Sequence, residues 1–250
     1  MSIGKRKKRD GGDQVDLGRE AWTLLNPVLT TGVFTVVFGR IAHISTDGIP
    51  EFLFYMAGNI LWSYFYGCLT TVGNTFIGNA RLFGKVYFPQ IVTPVSVSLS
   101  KLITFGAQFV LFLAFVLWYS AKGMVHVTWW CLATPLLLLE LACLAMGVGM
   151  ILASLTAKYR DLQVLTGFGI QLWMYATPVV YPLSQIPGRW QWLLMWNPAA
   201  SVVECFRRGW LGSGSPSIAY LAVGAGLTMI IFVFGMLLFE RTQRNFMDTI

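Results

Sequence analysis

Charged residues are scarce in this sequence. Asp, Glu, Lys and Arg together make up 12% of its 250 residues, whereas 56% are hydrophobic. Soluble domains carry about 25% charged residues, and a water-soluble core cannot hold this much apolar surface. Because one bilayer crossing needs ~20 apolar residues, the length predicts roughly six crossing helices in a single membrane domain.

The residue types that usually carry enzyme chemistry are also few. The two histidines, His43 and His126, fall at predicted helix ends without a nearby acid or cysteine, and there is no P-loop or zinc-type helix motif. The four cysteines are far apart and lack metal-ligand spacing, which favours packing roles. These absences argue against a metal centre or an enzyme. A pump built from this chain therefore needs a partner or an ion gradient for its energy.

Long apolar stretches predict the crossings. They cover residues 24–44, 52–75, 92–118, 127–155, 164–181 and 218–239, and Pro178 and Pro182 predict an irregular last turn in the fifth. The apolar pieces between the last two stretches are too short to cross, which predicts re-entrant or interfacial half-helices. The predicted fold is an all-α integral membrane protein with six transmembrane helices and these half-helices before the last span.

The basic residues predict an orientation. Five of the 18 basic residues form the run Lys5–Arg9, ahead of the first apolar stretch, which favours cytoplasmic anchoring over nucleic-acid binding. With the N-terminus inside, thirteen basic residues fall on the cytoplasmic side and five on the other. The first stretch lacks a small-residue cleavage site and is expected to be a retained helix. We predict a basic cytoplasmic segment over 1–21, one transmembrane domain over 22–245 and a cytoplasmic tail end over 246–250.

Few polar groups lie deep in the predicted spans. Glu140 is the one acidic residue there. It is either a proton or substrate site or, as we favour, a buried carboxyl that is neutral or hydrogen-bonded to a neighbouring helix. Gln108 and Gln171 are more typical of hydrogen bonds between helices. Gly147 and Gly149 form part of a small-residue face that indicates close helix packing.

Aromatic residues cluster inside two spans. Trp62 and Tyr66 belong to the second span, and Trp173, Tyr175 and Tyr181 belong to the fifth. An interfacial aromatic belt is one interpretation of such clusters. The alternative is a stacking surface for a sugar polymer, because sugar rings present C–H groups to aromatic faces. The residues alone leave both open.

A connection that mixes basic and apolar residues follows the second span. Its Asn79–Pro89 segment suits docking to a soluble partner, or equally an amphipathic stretch lying on lipid.

Four blocks of residues carry a resemblance to a known family. They are Leu25-Asn26-Pro27 with residues 34–39; Lys85-Val86-Tyr87-Phe88-Pro89 with Pro94; Lys158-Tyr159-Arg160-Asp161; and residues 177–182 leading to Trp196-Asn197-Pro198. In order and spacing these blocks resemble the permease subunits of ABC exporters for O-antigen, capsule and teichoic-acid polysaccharides, over about residues 22–245. The chain departs from that family after Arg9-Asp10, where acidic residues and glycines replace the usual basic amphipathic helix.

The resemblance implies a homodimer in the bacterial cytoplasmic membrane with a conduit at its interface, both termini inside, and two copies of a separate ATPase subunit that bind ATP and Mg²⁺. The expected cargo is a lipid-linked polysaccharide, and the chain itself has no cofactor and no catalytic residue. The alternatives are an exporter of a drug or lipid and an intramembrane enzyme acting on lipid-linked sugars.

The ATPase-docking residues would be Arg81, Lys85, Val86, Tyr87, Phe88, Pro89, Lys158, Tyr159, Arg160 and Asp161. The substrate path would include Trp62, Tyr66, Trp173, Tyr175 and Tyr181, and the outer gate Trp196, Asn197 and Pro198.

Overall fold

The computed structural model describes Trp22 and residues 25–75, 92–159, 161–214 and 217–247. All regular elements in these ranges are helices, which confirms the all-α prediction for this part of the chain. The helices are α1 (Leu25–Ile41), α2 (Glu51–Gly73), α3 (Val92–Ala121), α4 (Thr134–Lys158), α5 (Leu162–Tyr175), α6 (Gly188–Met195), α7 (Pro198–Leu211) and α8 (Ile218–Met247). The last part of α1, Thr35–Ile41, is a π-helix.

Three helices in the described ranges are long and apolar enough to cross a membrane. They are α3, α4 together with the short 3₁₀ turn Trp129–Ala133 that precedes it, and the Ile218–Gln243 part of α8. The chain is thus a multi-pass membrane protein. The predicted count of six crossings is not established by length and composition, because α1 and α5 are shorter and α2 carries Glu51, Asn59 and several tyrosines.

Helix α2 can carry polar groups because protein surrounds it. Sixteen of its 23 residues are buried, and it packs against α3, α4 and α7. The side chain of Asn59 is buried and donates from Nδ2 to the carbonyl of Pro27 on α1 at 3.2 Å. A satisfied amide of this kind costs little at membrane depth and ties α1 to the centre of the bundle.

Small residues let α4 approach its neighbours closely, as the sequence predicted. A Cβ atom added to Gly147 would lie 2.8 Å from Cα of Phe232 on α8, and one added to Gly149 would lie 2.8 Å from Cβ of Val72 on α2. Real Cβ atoms do not approach other atoms so closely, so these two glycines set the spacing of α2, α4 and α8.

The ends predicted for the last two stretches differ from the structure. Helix α5 ends at Tyr175, and residues 176–182 form turns because Pro178 disfavours helix at the residue before it and cannot donate a backbone hydrogen bond. The irregular end predicted for this stretch is confirmed, although it begins several residues early. Helix α8 continues through Met247, beyond the predicted end at residue 239.

Hydrogen bonds between distant segments define the two ends of the bundle. Asp47 accepts from the Ser184 hydroxyl at 2.8 Å, and the Thr128 hydroxyl donates to the carbonyl of Arg208 at 2.7 Å. We call this the Asp47 end. At the other end, Gln163 Nε2 donates to Asn74 Oδ1 at 3.3 Å, and we call that the Asn74 end.

Candidate functional site

Helix α7 positions the polar residues at the Asp47 end. Asn197 caps its N-terminus by accepting a hydrogen bond from the backbone N–H of Ala199, and Pro198 occupies the first turn, where a missing N–H costs nothing. Gly212 ends the helix with a φ of 75°, which an L side chain rarely adopts. The result is a short helix whose two ends are determined by its own sequence.

Arg207 on α7 binds the turn that follows α5. Its side chain is 1% exposed, and its guanidinium donates from Nη1 to the carbonyl of Pro178 at 2.6 Å and from Nη2 to that of Val179 at 2.5 Å. These carbonyls lack helical partners because the chain leaves the helix at Tyr175. The planar, multi-donor guanidinium can satisfy several of them at once.

Two further groups compensate the buried charge of Arg207. Its Nη1 lies 3.6 Å from Oε1 of Glu204, one turn earlier on α7, and the guanidinium carbon lies 3.7 Å from the centre of the Phe54 ring on α2. Both contacts favour the charged form in a buried environment. We call Arg207, Glu204, Phe54 and the carbonyls of residues 178 and 179 the arginine cluster.

Gly58 makes room for this cluster. A Cβ atom at this position of α2 would lie 2.7 Å from the carbonyl oxygen of Val179 and 3.0 Å from Nη2 of Arg207. Helix α2, helix α7 and residues 178–179 therefore meet at one point.

The predicted gate residue Asn197 links α7 to the end of α5. Its Oδ1 accepts from Trp173 Nε1 at 3.2 Å, and its Nδ2 donates to the hydroxyl of Thr177 at 2.9 Å and to the carbonyl of Ala176 at 3.2 Å. Pro198 is buried beside it, whereas Trp196 is 60% exposed. The structure thus brings one predicted gate residue into contact with one predicted path residue.

The predicted path residues form separate groups. The rings of Trp62 and Trp173 each contact Phe65, with ring centres 5.2 Å apart in both pairs. The hydroxyl of Tyr181 donates to the carbonyl of Tyr175 at 2.9 Å near the Asp47 end. Tyr66 is 46% exposed and faces a cavity at the Asn74 end. Within one copy of the chain these side chains do not make one continuous stacking surface.

The predicted docking residues are described only in part. Arg81, the block Lys85–Pro89 and Arg160 lie outside the described residues. Lys158 places its Nζ 5.2 Å from the centre of the Tyr159 ring, and Tyr159 is 54% exposed. Together with Asp161 they connect α4 to α5 at the Asn74 end, where α2 also ends.

Glu140 faces other helices. Its Oε1 is buried and has no hydrogen-bond partner among the described residues, and a Cβ atom on Gly224 of α8 would lie 3.1 Å from it. We predicted a carboxyl that is either neutral or hydrogen-bonded to a neighbouring helix, and such a hydrogen bond is not found at Oε1.

Sequence reasoning missed the role of Arg207. The available signal was an arginine three residues after an acid in an apolar piece too short to cross the membrane. Phe54 and Gly58 gave no signal of their own, since each is unremarkable in an apolar helix.

These features define a multi-pass helical membrane protein whose described polar residues bind helices and turns together. In the described ranges, no group of three or more His, Cys, Asp and Glu residues could hold a metal ion. The chain belongs to the ABC-2 type transporter family, whose model matches residues 16–211.

Curated relatives cover most of the chain. It is 26% identical over 232 residues to an O-antigen export system permease protein of Klebsiella pneumoniae, a match that spans 91% of this chain and 85% of the relative. It is 28% identical over 232 residues to an O-antigen export system permease protein of Myxococcus xanthus, spanning 92% and 86%. It is also 25% identical over 237 residues to a polysialic acid transport protein of Escherichia coli, spanning 91% and 87%.

Proposed function

We propose that this chain is the membrane subunit of an ABC exporter that moves a lipid-linked polysaccharide out of the cytoplasm, powered by a separate ATPase subunit. The observation that carries this proposal is the similarity, over about nine-tenths of the chain, to relatives named for O-antigen or polysialic acid transport. These names favour a sugar polymer over a drug or a simple lipid as cargo. ATP and Mg²⁺ would bind to the partner, and this chain would perform no covalent chemistry.

The positions of the connections support a six-crossing arrangement with both termini in the cytoplasm. The Asn74 end joins the ends of α2 and α4, so the predicted docking segments leave the bundle on one side. The Asp47 end collects the connections after α1, α3 and α5. We assign the Asn74 end to the cytoplasm of the bacterial inner membrane, since most basic residues fall there. Helices α6 and α7 then become outward-facing half-helices.

The exposed face of α5 supports a homodimer with a conduit at its interface. This helix has 14 residues, about 21 Å of length, and only Ile170 is buried in it. Gln171 is exposed, and Cβ atoms added to Gly167 or Gly169 would have no atom within 4 Å. The exposed surface of α5 thus combines large apolar side chains such as Leu165 and Phe168 with an amide and two open glycines. Such a surface suits a second protein copy better than hydrocarbon alone, where a bare amide is costly.

Helix α2 provides a physical route from the ATPase to the gate. Its C-terminal end leads into the predicted docking segment, and its N-terminal part contacts Arg207 through Phe54 and Gly58. A helix of 23 residues is about 35 Å long, which is enough to connect the two ends of the bundle. When the ATPase subunits close and pull on the docking segment, α2 would displace the arginine cluster and with it residues 178–181.

The first experiment is purification of the chain from its own cell in lipid nanodiscs. We expect two copies of the chain with two copies of an ATPase by native mass spectrometry, and ATP turnover that rises when lipid-linked polysaccharide is added. A chain that recruits no ATPase would contradict the proposal. Conversion of lipid-linked sugars by the chain alone, without ATP, would support the enzyme alternative instead.

Charge reversal in the predicted docking segment tests whether this segment couples ATP hydrolysis to export. With Arg81→Glu and Lys85→Glu together, we expect export to fall about tenfold or more while residual ATPase activity continues, because the altered segment cannot follow the partner's closure. Export is measured as surface polysaccharide, and ATP turnover is measured on the purified complex. Lys122→Glu, on the opposite side of the membrane, is the matched control. Unchanged export in the double variant would argue against docking by this segment.

A further inference from the structure

A cavity of about 220 Å³ lies at the Asn74 end between α2, α4 and α5. Tyr66, Thr70 and Asn74 line it from α2, Thr156 lines it from α4, and Gln163 and Thr166 line it from α5. It is separate from the arginine cluster at the opposite end. Its position beside the docking connections places it where a substrate would leave the cytoplasm.

The three threonine hydroxyls that line this cavity are set up as acceptors. The hydroxyls of Thr70, Thr156 and Thr166 donate to backbone carbonyls of their own helices at 2.7, 2.8 and 2.8 Å. Each hydroxyl has one proton, so their remaining capacity is to accept. A ligand rich in hydroxyl groups can supply the missing donors.

The absence of charge among the described lining residues favours a neutral ligand. None of the described residues that line it carries a formal charge. A phosphate or an acidic sugar bound there would lack the Lys or Arg partner that such anions usually have. Tyr66 adds an aromatic face on which the C–H groups of a sugar ring can pack.

We propose that this cavity is a binding subsite for one neutral sugar unit of the exported polymer at the cytoplasmic end of the path. The proposal rests on the polysaccharide function proposed above and specifies where the chain would first contact the polymer. The cavity has room for a single pyranose unit. The Gln163–Asn74 hydrogen bond joins two lining residues, one on α5 and one directly after α2, so a shift of α2 would change the shape of the subsite.

Two exposed glycines give a matched test. Gly167 on α5 lines the cavity and Gly226 on α8 does not, yet an added Cβ meets no atom within 4 Å at either position. Gly167→Trp should therefore fill the cavity without disturbing the fold. We expect it to lower surface polysaccharide at least about tenfold in the host cell, whereas Gly226→Trp should stay within about twofold of wild type.

A photocrosslink measures contact directly. In a complex whose ATPase cannot hydrolyse ATP, p-benzoylphenylalanine replaces Gly167, or the exposed Ile230 of α8 as the control, in cells fed a tritiated neutral hexose or, in parallel, ³²P-phosphate that labels the lipid carrier. We expect hexose label on the chain with the probe at 167 and little with the probe at 230. Label at 167 from the ³²P-lipid but not from the hexose, or no label at 167 in a complex that still binds its substrate, would overturn the proposal.

The exporter function and the sugar subsite can be disproved independently of each other. If deletion of the chain leaves surface polysaccharide unchanged, the exporter function itself is wrong. If deletion abolishes export but Gly167→Trp exports as wild type, or both tryptophan variants lose export equally, the sugar subsite is wrong and the exporter function stands.

Discussion

Arg207→Met is expected to abolish export and to lower the melting temperature of the complex by roughly 10 °C. The substitution keeps an unbranched apolar stem but removes every donor to the carbonyls of Pro178 and Val179, and it leaves Glu204 buried beside an apolar group. Breaking a buried pair in this way costs about 3–5 kcal/mol, and each kcal/mol lowers the melting temperature by about 2–4 °C in a chain of this size. Scanning fluorimetry in nanodiscs and surface polysaccharide are the two measurements.

The neighbouring Arg208 is the matched control for this prediction. Its described hydrogen bond is a single contact from Nη1 to the carbonyl of Gly212 at 3.0 Å, so Arg208→Met should change the melting temperature by only a few degrees. Adding Glu204→Gln to Arg207→Met should recover part of the lost stability, because it removes the unpaired carboxylate, but it should not recover export. Equal melting temperatures for the two arginine variants would refute the structural role of the cluster.

Gly147→Leu is expected to prevent the bundle from assembling. An added Cβ meets backbone atoms of Phe232 at 2.8 and 2.9 Å, and a backbone cannot move aside as a flexible side chain can. Because close approach through small residues is what holds membrane helices together, α8 must separate from α4. We expect the yield of monodisperse protein to fall about tenfold, measured by fluorescence-detected size-exclusion chromatography.

Gly226→Leu provides the comparison on α8. An added Cβ there meets nothing within 4 Å, so this variant should elute and export as wild type. Gly147→Ala should give an intermediate yield, since its Cβ alone already enters the contact. A monodisperse Gly147→Leu protein with full export would show that α4 and α8 do not pack as the structure has them.

The arginine cluster and α2 together relate stability to transport. A buried charge with several partners contributes little net stability, but losing those partners is costly, so the contacts of Arg207 favour one arrangement of α2, α7 and residues 178–179 over others. Under the function proposed above, this arrangement would suit an outer gate.

The amino-acid sequence by itself determined the membrane class, the helical fold and the close-packing face of α4. Each depends on local or averaged properties: apolar run length, scarce charge, and glycines at helical spacing. The irregular end of α5 was also predictable, because Pro178 acts on its immediate neighbours. The blocks of residues around Leu25 and Lys158 added the resemblance to exporter permeases.

Only the tertiary structure decided which polar groups meet. Arg207 contacts carbonyls 28 and 29 residues away in the chain, and Gln163 reaches Asn74 across 89 residues. No local propensity encodes such distances, because they depend on how α2, α5 and α7 pack. For the same reason the five aromatic residues predicted for the substrate path divide between the core around Phe65, the Asp47 end and the cavity beside Tyr66. The amino-acid composition of a helix predicts whether lipid or water surrounds it, whereas the packing of the helices determines which side chains it contacts.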